Sequence, residues 1–295
     1  MIIETADVRK TYGNVEALAG LALRVPRGAI YGLLGRNGAG KTTTIKVLLG
    51  MVRPTSGDAR VFGLKADDSQ ASVGIRSRTA FVSEDKDLYA GMTVAALVRF
   101  TAAFYPKWRA DLASTYLAQF ELRPDATVNA LSRGMRTKLA LLLALSTGAE
   151  LLILDEPMSA LDPAATEEIL QILVKQAGRD GTTVLFSSHQ LAHVEQIADH
   201  IAIVDRGRVV IDGALDEIRA RYCRIQLVFD GPAPDATFKS HGVINVRRQG
   251  RVLSVLSRGG HESVVAEARS LTPASVDVHP VTLKEIFLEA VGVEI

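Results

Sequence analysis

Two textures alternate along the chain. Short, almost wholly apolar runs, Ala29 to Leu34 (Ala-Ile-Tyr-Gly-Leu-Leu), Leu151 to Leu154 and Thr182 to Phe186, read as buried strands. Each is followed by a polar or glycine-rich turn and then a helical pattern. The first helix runs from Lys41 to about Leu49, with Gly50 placed to end it. The second opens at Asp162 and Pro163, which suit N-cap and first-turn positions. The third spans about Gln190 to Ala198, and residues 201–205 and 208–212 form a hairpin turning at Arg206-Gly207. Helical spacing also dominates about 92–146, broken at Pro106 and Pro124. Strands alternating with helices predict a mainly parallel sheet flanked by helices, and the long helical stretch predicts an inserted helical subdomain at about 90–146.

The texture changes after about Tyr222. Short strands at 224–229, 243–247 and 251–256 precede a helix near 262–271 and a last one from 283, opened by the capping-box spacing Thr282-x-x-Glu285. This predicts a first domain over 1–221 and a small accessory α/β domain over 222–295. Leu283, Ile286, Phe287, Ala290 and Val291 share one face of the final helix, which therefore buries that face.

Composition narrows the classes. The 295 residues are 47% hydrophobic and 23% charged, an ordinary globular balance with ample material for a core. With 34 basic against 33 acidic residues, no broad attraction to nucleic acid or anionic lipid is expected. The single cysteine, Cys223, cannot form a disulfide within the chain. The N-terminus lacks a basic and apolar leader pattern, and the greasiest run, Leu139 to Leu145, is far shorter than the ~20 residues of a spanning helix. If the protein works at a membrane, another chain is expected to cross it.

The sharpest chemical signal is Gly35-Arg36-Asn37-Gly38-Ala39-Gly40-Lys41-Thr42, a G-x-x-x-x-G-K-[ST] phosphate-binding loop between a strand and a helix. Its glycines let backbone N–H groups turn toward phosphate oxygens at the positive end of the helix, where Thr43 comes next. Lys41 supplies a mobile charge for the β and γ phosphates, and Thr42 a hydroxyl for Mg²⁺. At Leu151-Leu-Ile-Leu-Asp155-Glu156, two carboxylates emerge at the C-terminal end of a buried strand, where open α/β sheets bind ligands. Asp155 suits metal binding, and Glu156 suits accepting a proton from an attacking water. Alone, such an acidic strand end is a common structural feature; beside a phosphate loop, the metal-site reading dominates. Leu131-Ser132-Arg133-Gly134-Met135 lies about twenty residues before Asp155 and reads, taken alone, as a helix start with serine as N-cap.

The ordered set Tyr12, Gly35 to Thr42, Ser83-Glu84, Leu131 to Met135, Leu151 to Glu156, Ser159-Ala-Leu-Asp162 and His189 resembles the ABC ATPase family over roughly residues 1–220. The resemblance implies a P-loop NTPase fold with a mainly parallel sheet, an antiparallel β part and a helical subdomain. It implies ATP and Mg²⁺ as cofactors. It places Tyr12 against adenine, although an aromatic near an N-terminal strand is more often core. It places Ser132, Arg133, Gly134 and Met135 as the signature that meets ATP bound to a second subunit, Asp162 in the loop that crosses to that subunit, and His189 at the γ-phosphate. Catalysis is expected from Glu156 and His189, and metal binding from Thr42, Asp155 and Glu84. Two departures stand out. The family's usual Leu-Ser-Gly-Gly-Gln has Arg133 and Met135 at its third and fifth positions, and the glutamine expected after the strand ending near Val82 is Glu84. A carboxylate there adds a full negative charge where an amide offers a neutral oxygen.

The resemblance further implies a head-to-tail ATPase dimer at the inner face of the cell membrane, driving a separate transmembrane permease, with no direct contact to nucleic acid. The segment Phe104-Tyr105-Pro106-Lys107-Trp108 and the tail Thr282 to Val291 are similar to ATPase subunits of two-component bacterial exporters, so export is the expected direction. The competing reading is a soluble ABC-type ATPase acting on DNA or ribosomes. The stretch between the phosphate loop and the signature, 43–130, shows no sustained heptads, and the chain has one cassette, which disfavour that reading.

Overall fold

The apolar runs become the central strands of a sheet. A computed structural model describes residues 1–292, divided into two units, Met1–Asp212 and Gly213 onward. In chain order, the elements up to that division are β1 (Ile3–Tyr12), β2 (Val15–Leu21), β3 (Arg24–Val25), β4 (Ile30–Gly35), α1 (Lys41–Leu48), β5 (Ser56–Val61), β6 (Leu64–Lys65), α2 (Ser69–Arg76), β7 (Thr79–Val82), α3 (Val94–Ala102), α4 (Ala110–Gln119), α5 (Arg133–Leu145), β8 (Leu151–Asp155), α6 (Pro163–Asp180), β9 (Thr183–Ser188), α7 (Leu191–Ile197), β10 (His200–Asp205) and β11 (Arg208–Ala214).

The main sheet has the order β11-β10-β4-β9-β8-β7. From β10 to β7 every neighbouring pair is parallel. All residues of β4, β8 and β9 are buried, which accounts for runs that are apolar without alternation: such strands are covered on both faces. Their C-terminal ends carry Gly35, Asp155 and Ser188, so the phosphate loop and the acidic pair open at one edge. The helical stretch resolves into α3, α4 and α5, with Pro106 and Pro124 in the connections, as expected from proline's missing N–H. Among the described residues no helix is long and apolar enough to cross a membrane.

A second, antiparallel sheet has the order β2-β1-β5-β6, with β3 also on β1. Its apolar side, including Ile3, Val8, Leu18 and Leu21, joins Leu33, Ile45 and Leu48 in one core. No clean period-two signal marks β1, because register shifts interrupt its pairing with both β2 and β5. Asp7 sits there at φ +45°. An extra residue in a strand resets the alternation between faces.

The second unit contains α8 (Leu215–Ala220), β12 (Tyr222–Val228), β13 (Val243–Gln249), β14 (Val252–Arg258), α9 (His261–Ser270), β15 (Ser275–Pro280) and α10 (Leu283–Ala290). Its antiparallel sheet runs β13-β14-β12-β15 over a core that includes Ile225, Leu227, Leu253, Val255 and Val264. The division after Asp212 falls earlier than the boundary expected at 221, because α8, which buries Leu215 and Ile218, packs with β12. The edge strand β15 was not among the expected strands; only Val276 and Val278 are apolar in it, and most of its residues are exposed. The expected capping box is present: Thr282 Oγ1 accepts from the Glu285 N–H, and the Glu285 carboxylate accepts from the Thr282 N–H.

Candidate functional site

The phosphate loop wraps from β4 into α1. Gly38 and Gly40 take φ of +81° and +109°, a region that side chains disfavour. A Cβ at Gly40 would lie 2.7 Å from the Ala17 carbonyl oxygen in β2, so the loop backbone also lies too close to a neighbour for any larger residue. Lys41 is buried, and its Nζ donates to the carbonyls of Gly35 at 2.8 Å and Arg36 at 3.3 Å. The ammonium is thereby curled inside its own loop, and phosphate oxygens can replace those two acceptors. Asn37 and Gly38 lie at the exposed tip of the loop, Ala39 is buried beneath it, and Thr43 sits beside Thr42 on the first turn of α1.

The acidic strand end meets the loop directly. Thr42 Oγ1 donates to Asp155 Oδ2 at 2.9 Å. The other Asp155 oxygen, Oδ1, accepts from Ser187 Oγ at 2.6 Å. The same Ser187 hydroxyl accepts the Glu156 backbone N–H at 2.9 Å. Ser187 is fully buried in β9, which runs parallel to β8 and places residue 187 opposite Asp155. One hydroxyl therefore fixes both acidic residues. Glu156 leaves the strand at φ +47°, and its Oε2 pairs with His189 Nδ1 at 2.9 Å. An ionised carboxylate only accepts, so Nδ1 carries the proton and Nε2 is free to face a ligand. The Glu156 side chain is 9% exposed and the His189 side chain 54%. Beneath them Lys86, buried in the loop after β7, donates from Nζ to the Glu156 carbonyl at 2.9 Å. Burial pushes the Lys86 ammonium below its ordinary value, against the pull of Glu84, Asp155, Glu156 and Asp85.

The oxygen pair on Thr42 and Asp155 fits a small hard cation, which takes one or two protein oxygens and completes its shell with phosphate and water. Glu84 lies exposed just past β7. Among the described residues no three acidic, histidine or cysteine side chains gather as a metal-binding group.

Other expected residues are placed further out. Tyr12 is 44% exposed at the end of β1, with Lys10 Nζ 5.0 Å from its ring centre, so it is a surface aromatic rather than core. Ser132 is the N-cap of α5, its hydroxyl accepting the Met135 N–H at 3.2 Å. Ser132 and Arg133 are exposed, and a Cβ at Gly134 would lie 3.2 Å from the Ala160 carbonyl. The signature thus sits against the Ser159–Asp162 loop. Asp162 caps α6, accepting the Ala165 N–H at 2.9 Å, and that bond lowers its carboxyl below the usual range. Sequence reasoning missed Ser187 and Lys86. A small polar residue ending an otherwise apolar strand, and a lysine set among Glu84, Asp85 and Asp87, were the available signals.

A phosphate loop, an acidic strand end locked to it and a histidine on the second carboxylate define an ATP-hydrolysing cassette. The family profile described as ABC transporter matches residues 18–159. A bacitracin transport ATP-binding protein of Bacillus licheniformis is 31% identical, over 99% of this chain and 97% of that one. A daunorubicin resistance ATP-binding protein of Streptomyces coeruleorubidus is 34% identical, over 98% and 96%. Among solved structures, an ATP-binding subunit of an ABC transporter superposes with a TM-score of 0.69 at 31% identity, covering 75% of this chain and 92% of that one. A dimeric cassette in a post-hydrolysis state with ADP and Pi bound superposes with a TM-score of 0.66 at 25% identity, covering 72% and 98%. The chain belongs to the ABC transporter family as an ATP-binding subunit, and it is an ATPase.

Proposed function

We propose that this subunit hydrolyses Mg²⁺-ATP between two head-to-tail cassettes and powers export through a separate transmembrane permease at the inner face of the membrane. The observation that carries the catalytic part is the unbroken chain Thr42–Asp155–Ser187–Glu156–His189. Residues Gly35 to Thr43 hold the phosphates, and Lys41 exchanges its two carbonyl partners for β and γ oxygens. Thr42 and Asp155 would hold Mg²⁺, with Glu84 as a further ligand, and the ion when bound would supply neutralisation of phosphate charge. Glu156 accepts the proton of the attacking water. His189 donates from Nδ1 to one Glu156 oxygen, leaving the other for that water; once Nε2 is protonated as well, its N–H donates to the γ-phosphate. Tyr12, exposed at the end of β1 in the hairpin whose β2 strand lies against Gly40 of the phosphate loop, stacks on adenine.

Ser132, Arg133 and Asp162 are exposed, and together with the half-buried Gly134 and Met135 they serve the ATP of the second cassette. They present a helix N-terminus, which attracts phosphate. Docking of the permease is supported by an exposed aromatic cluster in the helical subdomain. Tyr89, Phe100 and Phe104 meet edge-on, with ring centres 5.4 and 5.1 Å apart. They are 60%, 38% and 64% exposed, and contiguous exposed apolar surface of this kind marks interaction sites. Beside it a cavity of about 330 Å³ is lined by Val82, Leu88, Tyr105, Ala140 and Leu143. The export direction is supported by the bacitracin and daunorubicin relatives. Glu156→Gln tests the dimer: with Mg²⁺-ATP it should elute from a sizing column as an ATP-containing dimer and revert to monomer with ADP. A monomer under both conditions overturns the paired-cassette reading.

A further inference from the structure

The proposed mechanism gives Lys86 no part in binding the nucleotide or moving the proton, yet it is the one lysine besides Lys41 that is buried among the described residues. Its ammonium donates to the Glu156 carbonyl at 2.9 Å. Four carboxylates act on it: Glu84, then Asp155, Glu156 and Asp85. A buried charge persists only where opposite charge and hydrogen bonds offset its lost hydration. Conversely, acidic groups crowded at the mouth of a triphosphate site repel one another and the phosphates. Lys86 and Glu156 also share a backbone feature. Their φ angles are +51° and +47°, and non-glycine residues hold such angles only where surrounding contacts impose them. The bond between them joins two constrained turns, one after β7 and one after β8.

We propose that Lys86 is a positioning residue. Its ammonium clamps the turn that carries Glu156, and it supplies the positive charge that allows a glutamate at position 84, where the resembled family has a neutral amide. The pair Glu84–Lys86 then leaves the site with about the net charge a glutamine alone would give. This inference rests on Glu156 being the proton acceptor.

The test compares steady-state ATP hydrolysis by the full-length protein with Lys86→Met, Glu84→Gln and the double variant, with Glu156→Gln run alongside. In Lys86→Met, kcat should fall by about 100-fold, the cost of a catalytic group displaced by about 1 Å, while KM for Mg²⁺-ATP moves less than about threefold. Adding Glu84→Gln removes the uncompensated charge, so the double variant should regain about tenfold in kcat over Lys86→Met. Melting curves read folding separately. If Lys86→Met does not fold, the double variant should fold and turn over; failure of both to fold makes the lysine structural only and overturns the proposal. Lys86→Met turnover within about twofold of the unmodified protein, or a double variant no faster than Lys86→Met, also overturns it. Unimpaired turnover by Glu156→Gln would instead refute the proton-acceptor assignment, a separate outcome.

Discussion

Ser187→Ala removes one oxygen and breaks two links at once. The hydroxyl donates to Asp155 Oδ1 at 2.6 Å and accepts from the Glu156 N–H at 2.9 Å, at a position with no solvent exposure. A hydrogen bond to a charged acceptor contributes about 1.5–3 kcal/mol, and a buried N–H left without a partner costs about 1–3 kcal/mol. The vacated volume is a single hydroxyl, too small for a replacing water. The expected loss is therefore about 2.5–6 kcal/mol, or a fall in Tm of roughly 5–24 °C for a unit of this size. Because the same group aims both carboxylates, turnover should fall as well, by about 10–100-fold, with KM for ATP moving less. Differential scanning fluorimetry without nucleotide and a coupled ATPase assay read the two effects. A variant melting within about 2 °C of the unmodified protein, with unchanged kcat, would show that Ser187 does not hold the acidic pair.

Lys41→Ala should weaken ATP binding by about 10- to 100-fold, since a charge-assisted contact worth ~1.5–3 kcal/mol is lost; nucleotide titration checks it, and unchanged affinity excludes the loop as the binding site. Truncation after Asp212 should leave a folded protein that binds ATP in the same titration, because every nucleotide motif lies before that point; a folded fragment without affinity would make the second unit part of the site. The Arg78 guanidinium, with bonds of 2.9 and 2.8 Å, holds the Glu150 carboxyl below its ordinary 4.5, so Glu150 contributes stability that is present above that value and lost as pH falls through the lower, folded one. Both side chains are about a third exposed, which limits the gain to about 1 kcal/mol or less. Glu150→Gln should therefore melt slightly below the unmodified protein at pH 7, and denaturation profiles of the two should converge below the carboxylate range; a gap that widens in acid would contradict the assignment.

Much of the site was legible because its chemistry is local in sequence. Gly35 to Thr42 is contiguous, and its glycines are required by backbone geometry that no neighbour can relieve. Asp155 and Glu156 were visible because a fully buried strand admits carboxylates only at its end. The helix caps at Asp162 and Thr282 are likewise local rules, and both caps are made. The features that were not legible depend on pairing across the fold. Ser187 acquires its role only because β9 lies beside β8 in a register that sets it opposite Asp155. Lys86 reaches the Glu156 carbonyl across 70 residues of sequence. The antiparallel sheet was expected only from the family resemblance, and its strands could not be read from pattern because shifts in the pairing of β1 erase the alternation that marks a half-buried strand. The domain boundary moved because α8 belongs with β12 by packing, a relation that composition does not encode.

In the proposed mechanism Glu156, held by Ser187 and His189, accepts the proton that hydrolysis releases. The rate of ATP cleavage by Glu156→Gln, measured at saturating Mg²⁺-ATP with binding verified in the same sample, tests it most directly. The amide keeps the shape and cannot take a proton. The expected result is a loss of about 10²–10⁴-fold with ATP still bound. Cleavage at the unmodified rate would contradict the claim and move the proton acceptor elsewhere in the site.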